Sequence, residues 1–529
     1  MYYRNIAQNE WKEPFIKKNN YKGNDLLGFA LRNLEKVSSG RMVFKCRKIA
    51  VKQLNDNRKR QMENGLTLEV VNFIKKSLEG YVVTNLDKGG KTLWVQCPSR
   101  MIGIGLQKFV LEEPNFEIRS MTTSEALEAV KEMYDVCGLN TYQSYKEGKL
   151  PHMKLDPKFK DPLQKYRLIT SYYNVGMKSM LRMCARSLRF MLKEVHAKKA
   201  MNSFTLFKLN DFKNTIMKLK EMKNKKNLRA YQTDVKCMFT NLSKNAIMEK
   251  VSNLIQMYSN IHRGKPKGIT VGTKHPYACF RGLGIGLDHT EYKELPFDII
   301  KRIVLWDLNS TYANYGDIVI FQKEGIPIGG ICSSIYADIQ CAYDEDMIMK
   351  NEVWKKNESL CIRQIDDLLI LTENNECKDL IITSYDKGLV LEPQETKQEV
   401  LNGKNIQKMK FIGLDLTLKD GEVNAQVLNM NVRSLFENGK QMKPRFAPRS
   451  VYRSGNLYRQ IITTSLCRIR DFSIGKDKIR HALLGLNFEF SSRNVGYPKG
   501  LFSSTLKKFI KTKVEKRRMD VWLKTLHTL

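Results

Sequence analysis

Three aspartates are the residues in this chain best suited to chemistry. Asp234 closes the apolar run Tyr231-Gln232-Thr233-Asp234-Val235. Asp366 and Asp367 sit side by side in a turn between Leu360-Cys361-Ile362-Arg363-Gln364-Ile365 and Leu368-Leu369-Ile370-Leu371. Aspartate favours turns, so an acidic pair in a loop needs no special reason. Between two apolar strands, however, adjacent carboxylates are costly unless a cation neutralises them. Mg²⁺ does so through a few carboxylates plus phosphate oxygens. A strand-end acid facing a hairpin-turn pair is an arrangement that two-metal phosphoryl transfer can use. One ion lowers the pKa of an attacking hydroxyl, and the other holds the triphosphate and leaving group, ~3.5–4 Å away.

Two further blocks flank these acids. In Asp234-Val235-Lys236-Cys237-Met238-Phe239, an aromatic five residues past a metal-binding acid can close over the sugar of an incoming nucleotide and clash with a 2′-hydroxyl. Gly325-Ile326-Pro327-Ile328-Gly329-Gly330 is a turn of small residues opening a helix, and its glycines let backbone approach a base pair or sugar closely.

The elements that must position these residues follow from local pattern. Residues 1–80 read as basic helix, 81–95 as a hairpin with basic residues at its tip, and 121–145 as helix. Residues 150–165 read as a Pro- and Lys-rich loop, 166–170 as a strand, and 178–199 and 211–228 as basic helices. Strand and helix then alternate, with 243–259 and 331–350 helical and 318–321 extended. Residues 260–295 are Gly-rich and read as an irregular insertion. Beyond about 431 the chain becomes helical and very basic.

Composition bounds the function. At 529 residues the chain has length for about three or four domains of ~150 residues. With 42% hydrophobic residues it is globular rather than disordered. Lys+Arg 90 against Asp+Glu 55 gives +35. Self-repulsion makes such a charge unusual for an enzyme of small molecules, and a nucleic-acid partner relieves it. Eleven Cys without C-x-x-C pairs indicate reduced thiols in an intracellular protein. No apolar run approaches the ~20 residues of a membrane span, and the N-terminus lacks an apolar signal core.

The ordered blocks resemble those of reverse transcriptases. Asp-Val-Lys-Cys-Met-Phe-Thr-Asn (234–241), Gly-Ile-Pro-Ile-Gly-Gly (325–330) and Arg-Gln-Ile-Asp-Asp (363–367) are similar to the first three catalytic blocks. Residues 388–397 resemble the fourth, and Lys-Phe-Ile-Gly-Leu-Asp-Leu (410–416) the primer grip. Within the family the chain is most similar to Penelope-like retroelements, relatives of telomerase. This rests on Leu-Asp-Lys-Gly-Gly (86–90), Leu-Pro-His-Met-Lys (150–154) with Tyr-Arg-Leu-Ile-Thr-Ser (166–171), and the thumb-like stretch Arg459 to Arg470, then Gly-Tyr-Pro (496–498). Gln364 replaces the aromatic usual before the acidic pair, and Gly329-Gly330-Ile331 replaces Gly-Ser-Pro. The GIY-YIG endonuclease that most such elements carry is not seen through Leu529.

The resemblance implies an α+β right hand with a ferredoxin-like palm sheet and a helical basic thumb. It implies an N-terminal extension at 1–80, fingers at 81–230, palm at 231–430 with the insertion near 260–295, and thumb and tail at 431–529. It implies RNA-directed DNA synthesis from a primer 3′-hydroxyl, with an RNA template, a DNA primer, dNTPs and two Mg²⁺ (or Mn²⁺) ions. Asp234, Asp366 and Asp367 map to metal ligation, with the carbonyl of Val235 as an extra ligand. Lys154 and Arg167 map to the triphosphate, Phe239 and Gly329 to the nucleotide, and Lys397 to a proton donor for pyrophosphate. Lys88, Gly413, Arg453, Arg459, Arg468 and Arg470 map to nucleic-acid contact. A domesticated nucleic-acid-binding protein of the same fold, an RNA-copying polymerase and a terminal nucleotidyltransferase stay open as alternatives. Action on chromosomal DNA in a eukaryote would place the chain in the nucleus.

Overall fold

A computed structural model describes residues 68–524, apart from 86, 88–92, 108–110, 159–160, 162, 208, 219–227, 265, 273–278, 282–291, 358, 386–388, 395–396, 402–403, 420–421, 428–454, 473–475, 492–499 and 516–518. In chain order the strands are β1 (Val82–Asn85), β2 (Leu93–Gln96), β3 (Phe116–Arg119), β4 (His152–Pro157), β5 (Tyr166–Ser171), β6 (Arg229–Lys236), β7 (Gly268–Gly272), β8 (Cys279–Arg281), β9 (Tyr292–Pro296), β10 (Tyr312–Tyr315), β11 (Ile318–Gln322), β12 (Leu360–Gln364), β13 (Asp367–Thr372), β14 (Val390–Gln394), β15 (Lys397–Leu401), β16 (Lys404–Phe411), β17 (Leu414–Lys419) and β18 (Glu422–Val427). The helices are α1 (Leu68–Ser77), α2 (Pro98–Leu106), α3 (Thr123–Val136), α4 (Lys178–Ala197), α5 (Leu209–Lys218), α6 (Met238–Asn241), α7 (Lys244–Ile261), α8 (Phe297–Asn309), α9 (Ser333–Lys350), α10 (Glu352–Lys356), α11 (Asn375–Ser384), α12 (Gly455–Phe472), α13 (Lys476–Ser491) and α14 (Leu501–Lys513).

The central sheet has the order β12-β13-β6-β14, and every neighbouring pair is antiparallel. With helices between β6 and β12 and between β13 and β14, this is the expected ferredoxin-like arrangement. Alternation along β6 divides its side chains between two layers. Val235, with Leu368, Ile370 and Leu391 from the neighbouring strands, faces a large core shared with α7, α9 and α11. Ala230, with Ile362, Leu369 and Leu371, faces a second core with Met409, Phe411, Leu414 and Leu416 of the sheet β15-β16-β17-β18. The central sheet is therefore covered on both faces at the Ala230 end. Pro393 is tolerated because β14 is an edge strand.

A five-stranded mixed sheet, β3-β11-β10-β4-β5, draws on strands far apart in sequence; only the β10–β4 pair is parallel. The basic C-terminal helices α12, α13 and α14 surround their own core of Ile462, Leu466, Leu483, Leu506, Phe509 and Trp522.

Two expectations are corrected. Residues 152–157, expected within a loop, are a strand paired along its whole length with β5. Pro157 is accommodated at the strand's last position. The segment 260–295, expected to be irregular, contains the three-stranded antiparallel sheet β8-β7-β9. Val271 and Leu295 are fully buried there against α4 and α8. Residues 1–67, most of the expected basic extension, lie outside the described residues, as does the hairpin tip at 88–92.

Leu369 is fully buried between the two sheets. Leu369→Ala is expected to cost about 2–5 kcal/mol of unfolding free energy, because the surrounding sheets cannot collapse onto the gap. Urea unfolding checks this; a loss under about 1 kcal/mol would contradict the two-sided packing.

Candidate metal centre

Antiparallel register brings the acids together. Asp234 on β6 and Asp367 on β13 are directly opposed residues. Such pairs share a face with Cβ atoms about 5 Å apart, where like charges repel. Asp366 arrives from the turn. β12 and β13 are joined by two residues, Ile365 and Asp366, closed by the pair Gln364 and Asp367. Only the first central residue, Ile365, has positive φ, at 61°. That is the type II′ pattern, whose first position prefers glycine, so a β-branched residue there is strained. The Val235 N–H donates to the Asp366 carbonyl at 2.9 Å and fixes the turn against β6.

As a result, one carboxylate oxygen from each of Asp234, Asp366 and Asp367 lies within 4.8 Å of the others, and all three residues are half-buried. The set is made of hard oxygen donors with no thiolate or imidazole, which suits Mg²⁺ or Mn²⁺ rather than zinc. The residues present therefore fit the expected ions.

A fourth carboxylate beside them was not foreseen. Glu392 on β14 opposes Asp234 from the other side of β6. It is ion-paired with Lys236 at 2.9 Å. Its hydrogen bond and charge raise the Lys236 pKa. Only the strand pairing reveals this, since Glu392 lies far from Asp234 in sequence.

The 325–330 segment is a strap. The Ile326 N–H donates to the Phe239 carbonyl at 2.7 Å, and the Ile328 carbonyl accepts from the Thr170 N–H at 2.7 Å. The strap therefore bridges the turn after Asp234 to β5. Gly329 has φ +98°, and a Cβ there would meet the Thr170 carbonyl oxygen at 2.5 Å. Both the conformation and the close approach require glycine. Phe239 on α6 is half-buried and packs against the large core.

Lys154 and Arg167 share the partly exposed face of β4 and β5, opposite the apolar face of Met153, Leu155, Tyr166 and Leu168. Each has a carboxylate partner. Lys154 Nζ is 2.8 Å from Asp156, and Arg167 is 3.3 Å from Asp87. Asp156 is legible in hindsight as the residue two beyond Lys154 on one strand face.

The remaining candidates are spread more widely. Val235 is buried in the core. Lys397 opens β15. Gly413 has φ +77° in the β16–β17 turn, where a Cβ would lie 3.2 Å from Arg468 of α12. Arg459 is exposed on α12. Arg470 pairs with Asp471 at 2.8 Å and donates to the Lys513 carbonyl at 3.2 Å, which engages it within the helical unit. Lys88 and Arg453 lie outside the described residues, as does 496–498.

A ferredoxin-like sheet with three acids at one end, a mixed sheet presenting paired cations, and a separate basic helical unit together define the right-hand polymerase fold. Among solved structures, the chain is similar to telomerase from Candida albicans in complex with a TWJ fragment of telomeric RNA. The identity is 13% and the TM-score 0.54, covering 93% of this chain and 75% of that one. It is also similar to apo telomerase from Candida tropicalis, at 15% identity and a TM-score of 0.50, covering 90% and 73%. At these identities the likeness is one of fold. No protein-family model matches the chain, and no curated protein matches it.

Gly329→Ala is expected to destabilise the protein by about 1–3 kcal/mol, through positive φ and the Thr170 contact together. Urea unfolding checks it, and unchanged stability would show that the strap does not press on β5 as described.

Proposed function

We propose that this chain is an RNA-directed DNA polymerase, a reverse transcriptase most similar to those of Penelope-like retroelements, extending a primer 3′-hydroxyl with dNTPs. The observation that carries this reading is the convergence of Asp234, Asp366 and Asp367, remote in sequence, to within 4.8 Å. Two Mg²⁺ or Mn²⁺ ions held there would activate the hydroxyl and offset the charge of the triphosphate.

The chain's own residues supply the rest. Asp234, Asp366, Asp367 and the Val235 carbonyl would hold the ions. Lys154 and Arg167 bind the triphosphate, exchanging Asp156 and Asp87 for phosphate oxygens and stabilising charge as it develops. Gly329 keeps the strap close to the nascent base pair, and Phe239 bars a 2′-hydroxyl. Lys397 donates a proton to the leaving pyrophosphate. Arg468, beside the Gly413 turn, and Arg459 on the same helix grip duplex phosphates without reading sequence, joined by Lys88, Arg453 and Arg470. In this reading 81–230 are the fingers, 231–430 the palm and 431–529 the thumb and tail. The solved telomerase bound to telomeric RNA supports an RNA partner for this fold.

Extension of a DNA primer on an RNA template with dNTPs and Mg²⁺ or Mn²⁺ is the direct assay. Asp366→Asn is expected to lower its rate at least about 100-fold, the scale of losing a metal ligand in such chemistry. Undiminished extension would remove Asp366 from the reaction. Tight RNA binding without extension on any template would favour a domesticated nucleic-acid-binding protein.

Phe239→Ala is expected to relax discrimination against ribonucleotides by roughly 10–100-fold, as a pocket loses its steric gate. Measured as the ratio of kcat/KM for dNTP and rNTP, unchanged discrimination would end the gate role. Preference for rNTPs in the unaltered chain would favour an RNA-copying polymerase, and extension without a template a terminal nucleotidyltransferase.

A further inference from the structure

Arg363 on β12 is fully buried, although it carries a charge. Its guanidinium is spread over four partners. Nε donates to Glu345, Nη2 to the Thr205 hydroxyl, and Nη1 both to Asp338 at 3.2 Å and to the Ile365 carbonyl at 3.0 Å. Glu345 is also fully buried. It accepts from the Ser203 hydroxyl, the Phe204 N–H and the Tyr385 hydroxyl besides Arg363. Burial alone would favour the neutral guanidine. The Glu345 carboxylate outweighs this and holds the Arg363 pKa well above its ordinary value.

Asp338 and Glu345 lie two turns apart on one face of α9, the helix that continues from the strap, and the Ser333 hydroxyl at its start donates to the Pro327 carbonyl at 2.7 Å. One rod therefore anchors both the strap and the guanidinium. The guanidinium in turn reaches the one strained residue of the acid-bearing turn, Ile365. The two carbonyls of that turn are pinned from opposite sides, Ile365 by Arg363 and Asp366 by the Val235 N–H. A buried ion pair can often be replaced by apolar residues without loss of stability. An apolar side chain could not hold the Ile365 carbonyl.

We propose that Arg363 is a positioning residue: clamped by Glu345 and Asp338, it sets the Ile365–Asp366 turn and so the strength with which the three aspartates hold a divalent cation. This rests on the metal-holding reading of the same site. Loss of an outer partner of a metal ligand typically weakens metal binding 10–100-fold.

The test titrates the full chain with Mn²⁺ alone, following loss of the free-ion electron paramagnetic resonance signal. Circular dichroism, the melting temperature and the kcat and dNTP KM of primer extension are measured in parallel. Arg363→Lys keeps the charge but cannot reach four partners at once. It is expected to fold, to bind Mn²⁺ about tenfold more weakly and to lose about tenfold in kcat, with KM changed less. Thr205→Val leaves every charge in place and is expected to weaken Mn²⁺ binding in the same direction by a smaller factor. Where Arg363→Lys does not fold, Thr205→Val decides. Asp366→Asn is the control. If it loses Mn²⁺ while folded Arg363→Lys and Thr205→Val bind at the unaltered level, the positioning role is overturned and the metal site stands. If Asp366→Asn binds Mn²⁺ as before, the metal reading falls and this proposal with it.

Discussion

Three carboxylates held within 4.8 Å of one another are the constraint on which the rest of the structure depends. Two like charges about 4 Å apart near a protein surface repel by roughly 4 kcal/mol. Such a cluster persists because the surrounding framework over-determines it. Asp234 and Asp367 cannot separate without breaking the β6–β13 ladder, which continues to Arg229 and Thr372 under two hydrophobic cores. Asp366 cannot withdraw without releasing Val235 and the guanidinium behind Ile365. Repulsion of this kind is what a bound cation would relieve.

The same framework decides where the site opens. Sheet β15-β16-β17-β18 covers the acid-bearing face only as far as Gln232, whose side-chain amide donates to the Lys410 carbonyl at 3.1 Å. Beyond it, Asp234 and Asp367 are left half-buried. The strap then ties this open end to β5, so that the strand pair carrying Lys154 and Arg167 is fixed relative to the turn after Asp234. Both cations rest on carboxylates. In the proposed reaction they stand pre-oriented, and an incoming triphosphate replaces one set of oxygens with another. The excess of +35 across the chain is thus not simply an excess at the site, where charges of both signs are paired.

Much of the centre was legible because its signals are local. Ile365-Asp366-Asp367-Leu368 reads as an acidic turn between apolar strands, and the glycines at 325–330 read as a close-approach turn. The basic helix α4 follows from its amphipathic pattern, and α12 falls in the stretch beyond 431 that reads as helical and very basic. What escaped depended on context. Pro157 and the neighbouring lysines made 152–157 look like a loop, although its alternation packs Met153 and Leu155 inward. Glycines obscured β7, whose burial comes from α4 and α8. In β15 to β18, Lys, Gln and Glu outnumber the apolar residues that face the central sheet. The pairing of Arg363 with Glu345 joins residues from a strand and a helix, and no spacing rule announces it. Glu392 and Asp87 reach the site through strand pairing and a distant ion pair.

The most direct measurement is a crystal structure with Mn²⁺ and a dNTP, using anomalous scattering to locate the metal. The account requires Mn²⁺ peaks within bonding distance of Asp234, Asp366 and Asp367 together, at about 2.0–2.2 Å for hard oxygen ligands of this size. Carboxylates found apart, or Mn²⁺ bound only elsewhere, would contradict it.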